Sequence, residues 1–75
     1  MDREKEKIVR EVLSRKDPRG FYVITAHREA LEVVGRLRGV SIEESGDTLI
    51  IMTRSRSLAE KILRMLMARN LYKPA

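Results

Sequence analysis

The chain has 75 residues, no Cys, one His and a formal net charge of +5, with 36% of its residues charged. That length allows one hydrophobic core, and so small a core is often reinforced by a disulfide, a metal or a second subunit. Absent Cys and the lone His27 in effect exclude the first two, so a single domain over residues 1–75, a homodimer and a reducing, cytoplasmic setting are expected.

The chain opens Met1-Asp2-Arg3-Glu4-Lys5-Glu6-Lys7, the pattern of neither a signal nor a transit peptide. No apolar run approaches the roughly 18 residues of a membrane span. Residues 2–16 read as a helix: Ile8, Val9, Val12 and Leu13 form one short apolar stripe, and Glu6 to Arg10 and Glu11 to Arg15 are favourable i,i+4 pairs. Asp17-Pro18-Arg19-Gly20 then carries the residue preferences of a type I turn, which ends an N-terminal helical segment of residues 1–17. A core of residues 20–72 follows.

Residues 21–25, Phe-Tyr-Val-Ile-Thr, have the aromatic and β-branched profile of a strand buried on both faces. Thr25 is placed to cap a following helix in which Ala26, Ala30, Val33, Val34 and Leu37 share a face, and which stops at Gly39 with Arg36 and Arg38 in its last turn. Gly35 within that helix costs about 1 kcal/mol against Ala, which fits either close packing on a sheet or an incidental position.

Residues 40–44 alternate apolar and polar, residues 48–53 are nearly all apolar, and Ser45-Gly46 lies between, so a hairpin is expected. An even loop pairs Ile42 with Leu49 and Val40 with Ile51 and puts all four on one face; a slip by one residue mixes the faces. The opposite face carries Ser41, Glu43 and Thr48, and also Ile50 and Met52, which need cover. Ser57-Leu58-Ala59-Glu60 matches a capping box, so the last helix is expected from about Leu58 to about Asn70. It is apolar more than halfway round, which leaves Met65 or Met67 beyond a single core stripe. Leu71, Tyr72 and Pro74 read as a terminating tail.

The order α-β-α-β-β-α, with a right-handed crossover, predicts an α+β fold: a three-stranded sheet in spatial order 2-3-1 with two helices on one face. This is the ferredoxin-like split βαβ lacking its last strand, plus an N-terminal helix. The first strand becomes an edge too apolar to stand bare, so the N-terminal helix or a second subunit should cover it.

This topology sorts the charges. Arg15, Lys16, Arg19, Arg36, Arg38, Arg54 and Arg56 collect at one end of the sheet, and Glu43, Glu44 and Asp47 at the hairpin tip. Eleven of the sixteen basic residues are Arg, whose planar fork suits phosphate, and the near absence of Asn and Gln in so charged a chain leans towards a thermophilic source. The segment Thr53-Arg54-Ser55-Arg56-Ser57 enters a helix N-terminus whose amides favour an anion. Arg19, Arg36, Arg38, Arg54, Ser55, Arg56 and Ser57 are therefore the candidate phosphate contacts.

Motifs of other chemistries are missing from the sequence. His27 has no Cys, Glu or Asp at metal-ligand spacing, Glu43 and Glu44 alternate faces, and there is no glycine-rich phosphate loop or nucleophile elbow. No catalytic residue, metal or cofactor is expected. The strand Leu49-Ile50-Ile51-Met52 lacks the stacking aromatics of an RNA-recognition motif, and Gly35-Arg-Leu-Arg-Gly39 is not the GxxG loop of a KH domain. Sequence-blind contact of arginines with a nucleic-acid backbone is the function these residues favour, RNA slightly ahead of DNA.

Across residues 21–72, the β-α-β-β-α order and the stretch Asp47-Thr-Leu-Ile-Ile followed by Leu58-Ala-Glu-Lys-Ile-Leu resemble the small dimerising subunit of the KEOPS tRNA-modification complex. The resemblance implies a non-catalytic dimer that joins sheets and docks onto an enzyme. Arg54 and Arg56 stand where that family has an acidic residue, and the N-terminal helix is extra. The alternative function is thus a dimeric protein-interaction subunit.

Overall fold

A computed structural model describes residues 3–74, so Asp2, the first residue of the expected N-terminal helix, lies outside the described residues. Helix α1, Arg3–Leu13, buries Val9 and Leu13 and half-buries Ile8 and Val12, the stripe expected of it. It stops short of Lys16. The Ser14 hydroxyl donates to the Glu11 carbonyl at 2.8 Å, an alternative to the helical ladder, and Pro18 disfavours a helical Asp17. The turn itself forms as expected: Gly20 N–H donates to the Asp17 carbonyl at 2.9 Å, while the Asp17 carboxylate accepts from the amides of Arg19 and Phe21.

Strand β1 is Tyr22–His27, two residues longer at its end than the sequence suggests. Thr25 does not cap a helix. It sits within the strand, and Ala26 and His27 continue the ladder opposite Leu49 and Thr48. The long crossover helix is consequently absent: a 3-10 turn, Arg28–Ala30, leads into a four-residue helix α2, Leu31–Val34. Ala30 and Val34 still reach the core and Leu37 packs against it, whereas Ala26 belongs to β1 and not to the helix face the spacing predicts. Arg36 and Arg38 belong to the loop after α2. At Gly35 a Cβ would lie 2.6 Å from the Leu31 carbonyl, so the close approach is to its own turn and not to the sheet.

Strands β2, Ser41–Ser45, and β3, Thr48–Thr53, form the hairpin, closed by Gly46-Asp47. Gly46 has φ +62°, the left-handed backbone that suits the first position of a type II′ turn. The turn centre lies one residue beyond the expected Ser45-Gly46, so Ile42 pairs with Ile51 and Glu44 with Leu49. The parity survives: Ile42, Leu49 and Ile51 share a face. The sheet is antiparallel in the order β1-β3-β2, the expected 2-3-1 arrangement.

Helix α3, Arg56–Ala68, buries Ala59, Ile62, Leu63, Leu66 and Met67. Its N-cap is Ser55, whose hydroxyl accepts from Leu58 N–H at 3.2 Å; the expected box from Ser57 to Glu60 does not form, and Glu60 binds Arg64 instead. The wide apolar arc has a plain cause, since α3 meets the sheet on one side and α1 on another. Met65 and Met67 both pack against the core.

α3 ends in a Schellman arrangement. Asn70 has φ 56°, Asn70 N–H donates to Met67 O at 3.2 Å and Leu71 N–H to Leu66 O at 2.8 Å. The chain turns back, and residues 71–73 run antiparallel along the outer edge of β1: His27 N–H donates to Leu71 O, Lys73 N–H to Thr25 O, and Tyr72 bridges Ala26. A single bridge therefore stands where the ferredoxin-like fold has its last strand. Tail and α1 together shield the edge, with Ile8, Val12, Val23, Thr25, Tyr72 and Pro74 lining a groove of about 460 Å³ between them. The helical layer covers Tyr22, Ile24, Ala26, Leu49 and Ile51, all buried. On the other face Val23 is 40% exposed beside half-buried Ile50 and Met52. No helix among the described residues is long and apolar enough to cross a membrane.

Candidate nucleic-acid interface

The site lies where β1 begins and β3 ends. Tyr22 pairs with Thr53, so the flanking residues Phe21 and Arg54 meet one rung further on, with the Arg54 guanidinium 4.6 Å from the centroid of the Phe21 ring. Arg19 approaches the same ring at 5.6 Å. Its other contact is the Asp17 carboxylate at 3.6 Å. Lys16 lies 5.2 Å from the Tyr22 ring. A cation held over an aromatic face keeps its charge, so the rings position Lys16 and Arg54 without neutralising them, while Arg19 also has a carboxylate partner.

Thr53 organises the backbone behind them. It is 1% exposed; its hydroxyl donates to the Gly39 carbonyl at 2.8 Å and accepts from Ser55 N–H at 3.2 Å. The first bond ties the loop carrying Arg36 and Arg38 to the end of β3. The second shapes the entry into α3, where the Ser55 and Ser57 hydroxyls lie 3.2 Å apart. Arg56 donates to the Leu13 carbonyl at 3.3 Å, which satisfies a free acceptor at the end of α1.

The expected site residues thus divide into four sets. Arg19 and Arg54 converge on Phe21, Ser55 and Ser57 adjoin at the start of α3, and Arg56 leans towards α1. Arg36 and Arg38 are exposed on the tethered loop, and among the described residues no ion pair or ring contact joins them to the stack. Ser55 is committed to capping, so Ser57 is the freer hydroxyl, the reverse of the sequence reading. Phe21 is not among the expected site residues, because residues 21–25 read as a strand buried on both faces. Its position just before β1, with Arg54 just after β3, was the available signal.

Charge compensation separates the two ends of the sheet. At the hairpin end, Glu44 pairs with Arg28 at 3.0 Å and Asp47 with Lys73 at 3.2 Å. Lys73 also holds the Asp47 carboxyl below the usual range. On the helical face Arg64 takes both Glu6 and Glu60. At the basic end Arg19 has Asp17, whereas Arg36, Arg38, Arg54 and Arg56 form no ion pair among the described residues. The Asp17 carboxyl is held below its ordinary range chiefly by the amide of Phe21, then by that of Arg19, so it stays charged as the loop's hydrogen-bond acceptor.

Compared with family models, with curated proteins and with solved structures, the chain matches none. The α+β architecture and the basic end of the sheet are what a functional reading must use.

Proposed function

We propose that this protein is a small, non-enzymatic accessory protein that binds nucleic acid, RNA slightly favoured, through phosphate contacts of its arginine-rich end. The observation that carries the reading is the uneven pairing of charge. Glu44 and Asp47 at the hairpin tip and Glu6 and Glu60 on α1 and α3 have cations, while Arg36, Arg38, Arg54 and Arg56 form no ion pair among the described residues. Four exposed guanidinium groups at one end suit a polyanion, and each that meets a phosphate releases a condensed counterion.

The test is the dependence of nucleic-acid affinity on salt. Arg54→Gln with Arg56→Gln is expected to flatten the plot of log affinity against log salt by about 1.5 to 2. Arg3→Gln with Arg10→Gln lowers the net charge equally and is expected to leave the slope nearly unchanged. Equal losses from both pairs would reduce the basic end to an ordinary solvated surface.

A second reading, a dimeric interaction subunit of the kind the KEOPS resemblance implies, is favoured by the open sheet face of Val23, Ile50 and Met52. Its measurement is sedimentation: a salt-insensitive dimer weakened by Val23→Lys supports it, and a monomer at high concentration removes it.

A further inference from the structure

We infer that the ligand of the basic end is a single-stranded nucleic acid, one unpaired base of which stacks on the Arg54–Phe21 platform. The inference rests on the nucleic-acid reading above and adds the strand class to it. Duplex recognition through phosphates needs charge alone, and Arg54 in open solvent would supply that. Here Arg54 lies over Phe21, the only Phe in the chain, with Arg19 5.6 Å from the same ring. Phe21 is itself fixed, since its amide donates to the Asp17 carboxylate at 2.8 Å and its carbonyl accepts from Asp17 N–H at 2.8 Å.

A guanidinium held over an aromatic ring, as Arg54 is at 4.6 Å, leaves its far side open, and that side offers a planar, polar surface of the kind on which bases stack. Arg54 is exposed, so this face is reachable. Bases in a duplex have their faces occupied by neighbours and cannot use such a platform, whereas an unpaired base can. By strand parity Phe21 and Arg54 fall on the same side of the sheet as Val23 and Met52. A strand seated at the stack therefore has the open, partly apolar sheet face as its path away from the loop.

The experiment is fluorescence anisotropy of the full chain at low salt with three labelled probes of about 12 nucleotides, a length within the usual span of such sites. The probes are an oligouridine, an oligothymidine and a mixed-sequence DNA duplex. Single strands are expected to bind about tenfold more tightly than the duplex. Phe21→Leu, which keeps the net charge, is expected to reduce that ratio towards one without changing the salt slope. Arg54→Lys keeps the charge and removes the plane, and its effect on the ratio should be the same; being on the surface, it serves should Phe21→Leu fail to fold by circular dichroism. Tighter binding of oligouridine names RNA as the source, and equal binding names single strands of either sugar. Equal affinity for all three probes, untouched by both variants, overturns the stacking inference while leaving phosphate binding intact. No binding of any probe overturns both.

Discussion

Arg64 of α3 grips Glu6 of α1 in a two-bond fork, at 2.6 and 3.1 Å, while its Nε donates to Glu60 at 3.0 Å. One side chain thus joins the two helices outside the core. The fork holds the Glu6 carboxyl below its ordinary value of 4.5 and raises the pKa of Arg64. A carboxyl whose pKa is lower in the folded state stabilises the fold above its unfolded value and loses that effect as pH falls through the lowered one. The fork's contribution should therefore be present above about pH 4.5 and fade in acid. Thermal unfolding of Arg64→Met across this window is expected to show a shallower decline than the parent protein. Identical profiles would mean that solvent screening cancels the fork.

Thr53 is the buried hydroxyl behind the basic end. Thr53→Val keeps the shape but leaves the Gly39 carbonyl and the Ser55 amide without their partner, which should cost about 1–3 kcal/mol in urea unfolding. Thr53→Ser restores the hydroxyl and should recover much of that loss. If the valine variant is as stable as the parent, water reaches these groups more freely than the burial of Thr53 allows.

The two serines before α3 are expected to behave differently. Ser55→Ala removes the side chain that accepts from Leu58 N–H and should destabilise the protein by about 1 kcal/mol. Ser57→Ala should fall within about 0.5 kcal/mol of the parent. The reverse ranking, measured by chemical unfolding, would restore the capping box that the sequence suggests.

Gly35→Ala is expected to destabilise by about 1–3 kcal/mol, because the new Cβ meets backbone, the Leu31 carbonyl at 2.6 Å, and not a movable side chain. A gain in stability, as usual for replacing Gly in a helix, would show that α2 shifts easily to make room.

Much of the fold was readable because burial imposes periodicity. The stripe Ile8, Val9, Val12 and Leu13, the alternation through residues 40–44 and the parity that unites Ile42, Leu49 and Ile51 each follow from which side of an element faces the core. Strand order and the charged ends followed from that. Local signals misled where two readings were close. Thr25 is an acceptable cap and an acceptable strand residue, and pairing of Ala26 with Leu49 and His27 with Thr48 decided for the strand. Ser55 and Ser57 both suit a cap, and the Thr53 hydroxyl, by binding the Ser55 amide, favours the earlier start.

The sequence by itself determined the α+β class and the apolar face of the main elements, because these depend on residue type and spacing along a single element, and the order of strands followed from the connections between them. Only the tertiary structure decided which cations are neutralised. Arg64 binds Glu6 across 58 positions of sequence and Lys73 binds Asp47 across 26, so their partners depend on how separate elements pack. The same holds for the Arg54–Phe21 stack. It exists because the rung at the start of β1 and the end of β3 places two residues from distant parts of the chain side by side, a juxtaposition no local pattern encodes.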